Sequence, residues 1–377
     1  MYTRKMKGDE KKELYDFIIV GAGIAGLSSA YHLLKDGYSV LVIEKDNGLQ
    51  NASFNSTATM SHDADIKWDY VIGYFGIRGA LDLWELSELS MKLLKKFAHE
   101  FEPHFNTERL TSYIYSNSKE KTKKLKNSYE IYKKIGVAVK FEKNGNLIHK
   151  NFDSFLTIPR EGQTNNQAII KNLRHAIRKM SGKIILNTPV AKFLVENRKV
   201  KVITTKEKVF EAKQLIITTG YNSLLPDAKF HTSIKRTFVV SFKKHNMPKF
   251  FRSSVLWDNE KPYHYIRSFR GNIVWVGGND VDEKDYNPKK DYYKNLEQYS
   301  QKKLLFDKSY KKITAWNGTF YTSKNSLPYI YKLSGKPIYV NFGFGGTGIL
   351  TSFISGYLIS SWLKGKNKKY QYLFKSK

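Results

Sequence analysis

The chain has 377 residues, enough to bury a sizeable core and, at the usual ~100–200 residues per domain, to form two domains. It contains no cysteine, which excludes disulfides, a thiol nucleophile, thiolate metal sites and a thioether link to a cofactor. The 64 Lys and Arg against 34 Asp and Glu give a formal charge of +30, but lysines are spread through every segment, so the excess reads as general surface composition, with an anionic partner such as nucleic acid as the competing reading.

Residues 1–13 read as a basic tail of mixed charge without an apolar core, which excludes a secretory signal of the usual form and leaves a cytoplasmic location by default. Phe17 to Val20 is a β-branched run that suits a buried strand, and Gly21-Ala22-Gly23-Ile24-Ala25-Gly26 follows it without a spacer. A helical pattern from Leu27, a break at Gly37 and a second apolar run ending on Glu44 complete a βαβ unit. Gly21 permits the turn, Gly23 lets backbone N–H groups approach a pyrophosphate, and Gly26 lets helix and sheet pack closely. Glu44, 18 residues beyond Gly26, stands where a carboxylate accepts ribose hydroxyls. An acid here favours FAD or NAD over NADP.

The Ser/Asn/Thr-rich stretch after Glu44 reads as a loop, and Trp68 to Phe101 as one or two amphipathic helices. A strand at Thr111 to Tyr115, a basic helix at Lys119 to Ile135 and a strand at Val137 to Phe141 come next. Thr157 to Gln163 looks like a turn-rich link, and Asn166 to Met180 like a helix. Short strands fill 183–212, and Gln214 to Gly220 is a buried strand stopped by a turn. From Thr237 to Val276 the text is β-rich, with Tyr263, Tyr265 and Arg267 sharing one strand face. A second glycine turn, Gly343 to Gly348, stands between the strand Pro337 to Val340 and a helix from Ile349, another positive helix end suited to an electron-rich group such as a flavin ring. The longest apolar stretch, 348–363, is too short and too serine-rich to cross a membrane.

With FIIVGAGIAGLSSAYHL, VIE, LIITTGYNS, NSLPYI and FGFGGTGILTS in place, the chain resembles the D-amino-acid-oxidase-like FAD-dependent oxidoreductases, the glycine, sarcosine and γ-glutamylputrescine oxidase type. The resemblance runs from Tyr15 to about Phe374 and implies an α/β fold: a Rossmann-like FAD-binding domain with an inserted, β-rich α+β substrate domain. Its segments are expected at 14–90, 151–222 and 313–377 for the FAD domain, and at 91–150 and 223–312 for the substrate domain. Carried over, Gly21, Gly23, Gly26 and Glu44 hold the ADP half of FAD, Val190 meets the adenine region through its backbone, Thr219 and Gly220 line the cofactor, and Gly345, Gly346, Thr347 and Gly348 lie beneath the ring.

The family's linking cysteine is missing, so FAD is expected to be non-covalent, and the lysine that some members carry on the strand at Asn272 to Val276 is absent. The electron acceptor, O2 or another, stays open. His62 keeps three readings: covalent attachment, a polar active-site role, or an ordinary loop histidine. The implied activity is oxidation of a C–N bond of an amino acid or amine by hydride transfer to flavin N5, with Arg267 as clamp for a substrate carboxylate beside Tyr263 and Tyr265. Oxidation of a 2-hydroxy acid or glycerol phosphate, and modification of a tRNA base, are the alternatives.

Overall fold

The first apolar run forms a strand buried on both faces because its residues are β-branched or aromatic and have partners on either side. The computed structural model describes residues 13–375 apart from 50, 63–65, 67, 102–107, 148–149, 221–223, 226–229, 231, 270, 305–306, 324 and 347. Strand Leu14–Val20 lies between Val40–Ile43 and Val209–Ile217, parallel to both. Ile338–Phe342 and Lys183–Ile185 extend the parallel set, and Tyr329–Lys332 adds an antiparallel edge. Two further strands, Val190–Glu196 and Lys199–Thr204, fold as a meander onto the start of Val209–Ile217.

Alternation along the first strand divides the core. Phe17 and Ile19 pack with helices Ile24–Lys35, Asn166–Lys179 and Gly348–Leu363, whereas Ile18 and Val20 pack with Val200 and Val202 of the meander. The long helical stretch Trp68–Phe101 also joins the first group and is broken at Gly76 (φ 66°, ψ −175°) into two pieces.

A second sheet of nine strands runs in the order Lys311–Ser323, Thr232–Lys243, Ile273–Asp282, His264–Phe269, Ser254–Asp258, Glu108–Ser116, Lys150–Gln163 and Thr59–Met60, with Lys140–Leu147 branching from Lys150–Gln163. Phe238, Val240, Leu256, Ile266 and Val276 on one face pack against Tyr292 and Leu296 of helix Tyr292–Leu304. The opposite face, with Val239, Trp257 and Tyr265, turns towards the glycine-rich ends of the first sheet. The architecture is therefore the α/β arrangement implied by the sequence, a Rossmann-like layer with a β-rich insertion.

Three local expectations change. The stretch 157–163 is strand rather than link, because Glu108–Ser116 and Thr59–Met60 supply its hydrogen bonds; the irregularity written by Pro159 and Arg160 is absorbed as a bulge opposite Leu110 and Ser112, with Arg160 at φ 66°. Segment boundaries at 151 and 313 cut through sheet pairing, since Lys150–Gln163 and most of Lys311–Ser323 belong to the second sheet. The strand expected at 137–141 begins at Lys140, after the turn at Gly136 (φ 73°). On the basic helix Lys119–Lys134 only Leu125 and Tyr132 are buried, so its dense lysine run is a solvated face. No helix among the described residues is long and apolar enough to cross a membrane.

Helices Ile24–Lys35 and Gly348–Leu363 touch through backbone. A Cβ on Gly356 would lie 2.4 Å from Ser28 C and Ser29 N, and Ser28 Oγ donates to Phe353 O at 2.6 Å. Gly356→Ala should push the helices apart and destabilise the protein by ~1–3 kcal/mol, read as an earlier urea midpoint; an unchanged midpoint would show that this crossing tolerates a methyl group.

Candidate active site

A cleft opens where the first sheet's parallel strands end, between their glycine turns and the exposed face of the second sheet. At its near end the three first-turn glycines have separate tasks. Gly21 takes φ 110°, and a Cβ there would lie 2.6 Å from Thr218 O. On Gly26 it would lie 2.0 Å from Gly21 O, so this position is closed by the fold itself. Gly23, at φ −74°, caps helix Ile24–Lys35 without a side-chain hydrogen bond, and a Cβ there would meet only Ser53 Oγ at 3.2 Å. A Cβ at 23 is thus opposed by one side-chain oxygen, where those at 21 and 26 are opposed by backbone.

Glu44 is buried in the wall at the end of Val40–Ile43. Its Oε2 accepts from Ala22 N at 2.6 Å, while Oε1 accepts only a long 3.4 Å bond from Asp46 N. The carboxylate thus ties the glycine turn to the second strand and keeps one oxygen weakly engaged. Ser53, which the sequence did not single out, accepts from Ile24 N at 3.1 Å and is fixed by the short helix Ala52–Asn55 inside the expected loop. Its only local signal is the Asn51 cap, whose side chain accepts from Phe54 N.

Val190, Thr219 and Gly220 line the middle of the cleft. Thr219 Oγ1 is buried without a hydrogen-bond partner, as is Thr59 Oγ1. Gly345, Gly346 and Gly348 line the far end; Gly345 takes φ 70° and donates its N–H to Tyr321 O at 3.0 Å, and helix Gly348–Leu363 starts there. Thr347 lies outside the described residues. The wall thus offers a helix N-terminus behind Gly23, a carboxylate at the end of the second strand, buried hydroxyls at Thr219 and Thr59, and a second helix end. That set fits FAD.

Trp257, Tyr263 and Tyr265 stand over the far end, with Trp257 ring centroids 6.1 Å from Tyr263 and 5.1 Å from Tyr265. Tyr265 lies on Gly277, its cross-strand partner, where a Cβ would come within 2.3 Å of the ring. Burial pushes its phenol up to about 12, with Thr57 Oγ1 donating to it at 3.1 Å, so it is neutral at pH 7. Arg267 shares their face but not their wall. It is fully buried, with Cζ 4.7 Å from the Trp275 ring and 5.9 Å from Phe269, because the strand runs on past the end of the cleft. Arg236, another candidate cation, is committed to Glu283 (Nε–Oε2 2.9 Å) and Asn317 (2.7 Å).

His62 is absent from the wall as well. Its Nδ1 lies 2.9 Å from Glu161 Oε1 and its Nε2 3.4 Å from Glu88 Oε1, and the ring stacks on Trp84 at 4.5 Å. Both nitrogens through which a histidine could bond a cofactor are therefore turned to carboxylates. Burial alone lowers this imidazole, but the hydrogen bonds and charges of Glu161 and Glu88 outweigh it and lift the group to about 9.

Two tests follow from this geometry. Gly23→Ala should fold as the wild type yet lose the bound dinucleotide, whereas Gly26→Ala should lose ~1–3 kcal/mol of stability; thermal melts of the apoproteins together with cofactor content separate the two roles. For His62 the folded-state value exceeds the unfolded value of 6.5, so its contribution to stability is full below that pH and disappears as pH rises through about 9. Melting temperature should accordingly fall between these values in the wild type and change less in His62→Gln; parallel slopes would show that the imidazolium is not held by its carboxylates.

Comparison with known proteins agrees with the fold. Residues 16–362 match the family described as FAD dependent oxidoreductase. The chain is 22% identical over 368 residues to the putative Rieske 2Fe-2S iron-sulfur protein YhfW of Bacillus subtilis, covering 95% of this chain and 70% of that protein. Its fold is similar to that of glycine oxidase from Geobacillus kaustophilus (TM-score 0.80, 17% identity, 94% of this chain and 95% of the other). The same holds for L-alpha-glycerophosphate oxidase from Mycoplasma pneumoniae with FAD bound (TM-score 0.75, 15% identity, 93% and 95%). With the glycine turns, Glu44 and the aromatic far end all in one cleft, the chain belongs to the FAD dependent oxidoreductase family and is an enzyme whose cofactor is FAD.

Proposed function

We propose that the protein oxidises a C–N bond of an amine, held over the far end of the cleft by Trp257, Tyr263 and Tyr265. The observation that carries this reading is the chemistry of the wall: among the described lining residues Lys45 is the one Lys or Arg, and it sits beside Glu44 at the ribose end. When bound, FAD supplies a two-electron acceptor, so that the C–H bond beside nitrogen can be given up as hydride and the resulting imine hydrolysed by water.

The protein's share is to orient and to dry. Aromatic faces exclude water from the reacting carbon, and the neutral Tyr265 phenol offers a hydrogen bond without adding charge. Removing an ammonium from water lowers its pKa by up to ~3–5 units, whereas a cation over an aromatic face gains only ~0.5–2 kcal/mol, about one unit. Desolvation wins, and the amine is held in the neutral form that can release hydride. No described lining residue at this end is His, Asp or Glu, so the deprotonation rests on desolvation rather than on a protein base. A 2-hydroxy acid or glycerol phosphate lacks this support, because its anion requires a cation near the reacting carbon.

Anaerobic mixing of the holoenzyme with panels of amines, amino acids and hydroxy acids tests the proposal. Amines should bleach the flavin's visible absorbance, with rates that level off at a pH below the amine's solution pKa. Bleaching confined to hydroxy acids or glycerol phosphate would overturn it.

A further inference from the structure

Behind the aromatic wall lies a second chamber of about 360 Å³, within the ~300–1,000 Å³ usual for small-molecule sites. Helix Lys119–Lys134, the start of helix Trp68–Phe101 and strands of the second sheet border it, and it opens to solvent beside Lys124. Its lining is mixed: Ile66, Ile114, Leu125 and Ile131 with the aromatic rings form an apolar strip, and Ser61, Asp69, Ser112, Lys124, Ser128 and Asn259 supply polar groups along it. Trp257 and Tyr263 line both this chamber and the FAD cleft, so the two spaces are separated by those side chains. Asp258, also in the wall, is already engaged: its Oδ1 accepts from His264 N and its Oδ2 meets His264 Nδ1, each at 2.7 Å. That pairing anchors the turn bearing Tyr263.

We propose that the chamber is a subsite for the chain of an extended amine: a long alkyl or arylalkyl substituent that leaves the reacting carbon, passes Tyr263 and ends in a hydrogen-bonding group near Asp69 and Ser128. This rests on the amine reading of the cleft. The Trp257 and Tyr263 centroids are 6.1 Å apart, less than the ~7–8 Å that two ring faces need to sandwich a methylene chain. Both rings contact Tyr265, Trp257 at 5.1 Å and Tyr263 at 6.4 Å, and we assign the movement to Tyr263, the more loosely packed of the two, which precedes the strand His264–Phe269. Short amines would react without using the chamber, and chain length would set affinity.

The test titrates holoenzyme with n-butylamine, n-octylamine, 1-butanol and 1-octanol, reading the flavin difference spectrum, and repeats it with Ser128→Trp, which fills the chamber from helix Lys119–Lys134. In the wild type each octyl compound should bind roughly 10- to 200-fold more tightly than its butyl partner, the range that four buried methylenes allow. In Ser128→Trp that preference should shrink to about twofold, with FAD content, melting temperature and butylamine binding unchanged. Lys124→Trp, from an exposed position on the same wall, serves if the first variant fails to fold. Equal affinity of butyl and octyl compounds in the wild type, or an octyl preference that survives the filling, would overturn the proposal. Tight octylamine binding without bleaching would instead defeat the amine reading and leave the subsite standing.

Discussion

Everything at the cofactor end depends on backbone lying directly against backbone around one helix. Gly26 leaves no room for a Cβ against Gly21 O, and Gly356 none against Ser28 and Ser29. These two contacts draw helix Ile24–Lys35 onto the sheet and draw helix Gly348–Leu363 onto it in turn. The positive ends of both helices consequently open onto one cleft, which a single helix end could not provide for a cofactor whose pyrophosphate and flavin ring lie apart along its length. The Glu44 contact with Ala22 N then holds the turn shut from the neighbouring strand.

The second sheet separates stability from chemistry by its two faces. One is packed with Phe238, Val240, Leu256 and Ile266 against helix Tyr292–Leu304, and the residues between them on the same strands are delivered to the cleft. Behind the cleft, polar groups are kept in closed sets: His264 with Asp258 and Asn279, stacked on Tyr299 at 4.0 Å, and Tyr299 in turn bonded to Tyr115. Burial raises both tyrosine phenols, so they stay neutral hydrogen-bonding groups rather than competing charges. The two phenols thus add no charge behind the aromatic lining of the cleft, Trp257, Tyr263 and Tyr265.

The large positive charge has little part in this arrangement. The exposed lysines that do meet acids, such as Lys124 with Glu120 and Lys201 with Glu196, form solvent-screened pairs that add little to stability. By contrast, the His62 imidazolium is enclosed with Glu161 and stacked on Trp84, and it fastens the loop after the first βαβ unit to strand Lys150–Gln163 and to helix Trp68–Phe101 through Glu88.

Local periodicity and turn chemistry are written in neighbouring residues, so the sequence alone determined the βαβ unit, the placing of Gly21, Gly23, Gly26 and Glu44, the returning strand before Thr219 and Gly220, and the second glycine turn. It also placed Tyr263, Tyr265 and Arg267 on one face, since alternation is a property of the strand itself. What alternation cannot report is how far along a strand the cleft extends, and tertiary packing left Arg267 beneath Trp275 while Tyr265 reached the wall. Strand membership of 157–163 was decided by Glu108–Ser116 and Thr59–Met60, distant in the chain, against the local message of Pro159 and Gly162. His62 met Glu161 across 99 residues, and Trp257 and Tyr263 became a partition between two spaces, because burial and charge pairing are settled only when remote segments come together.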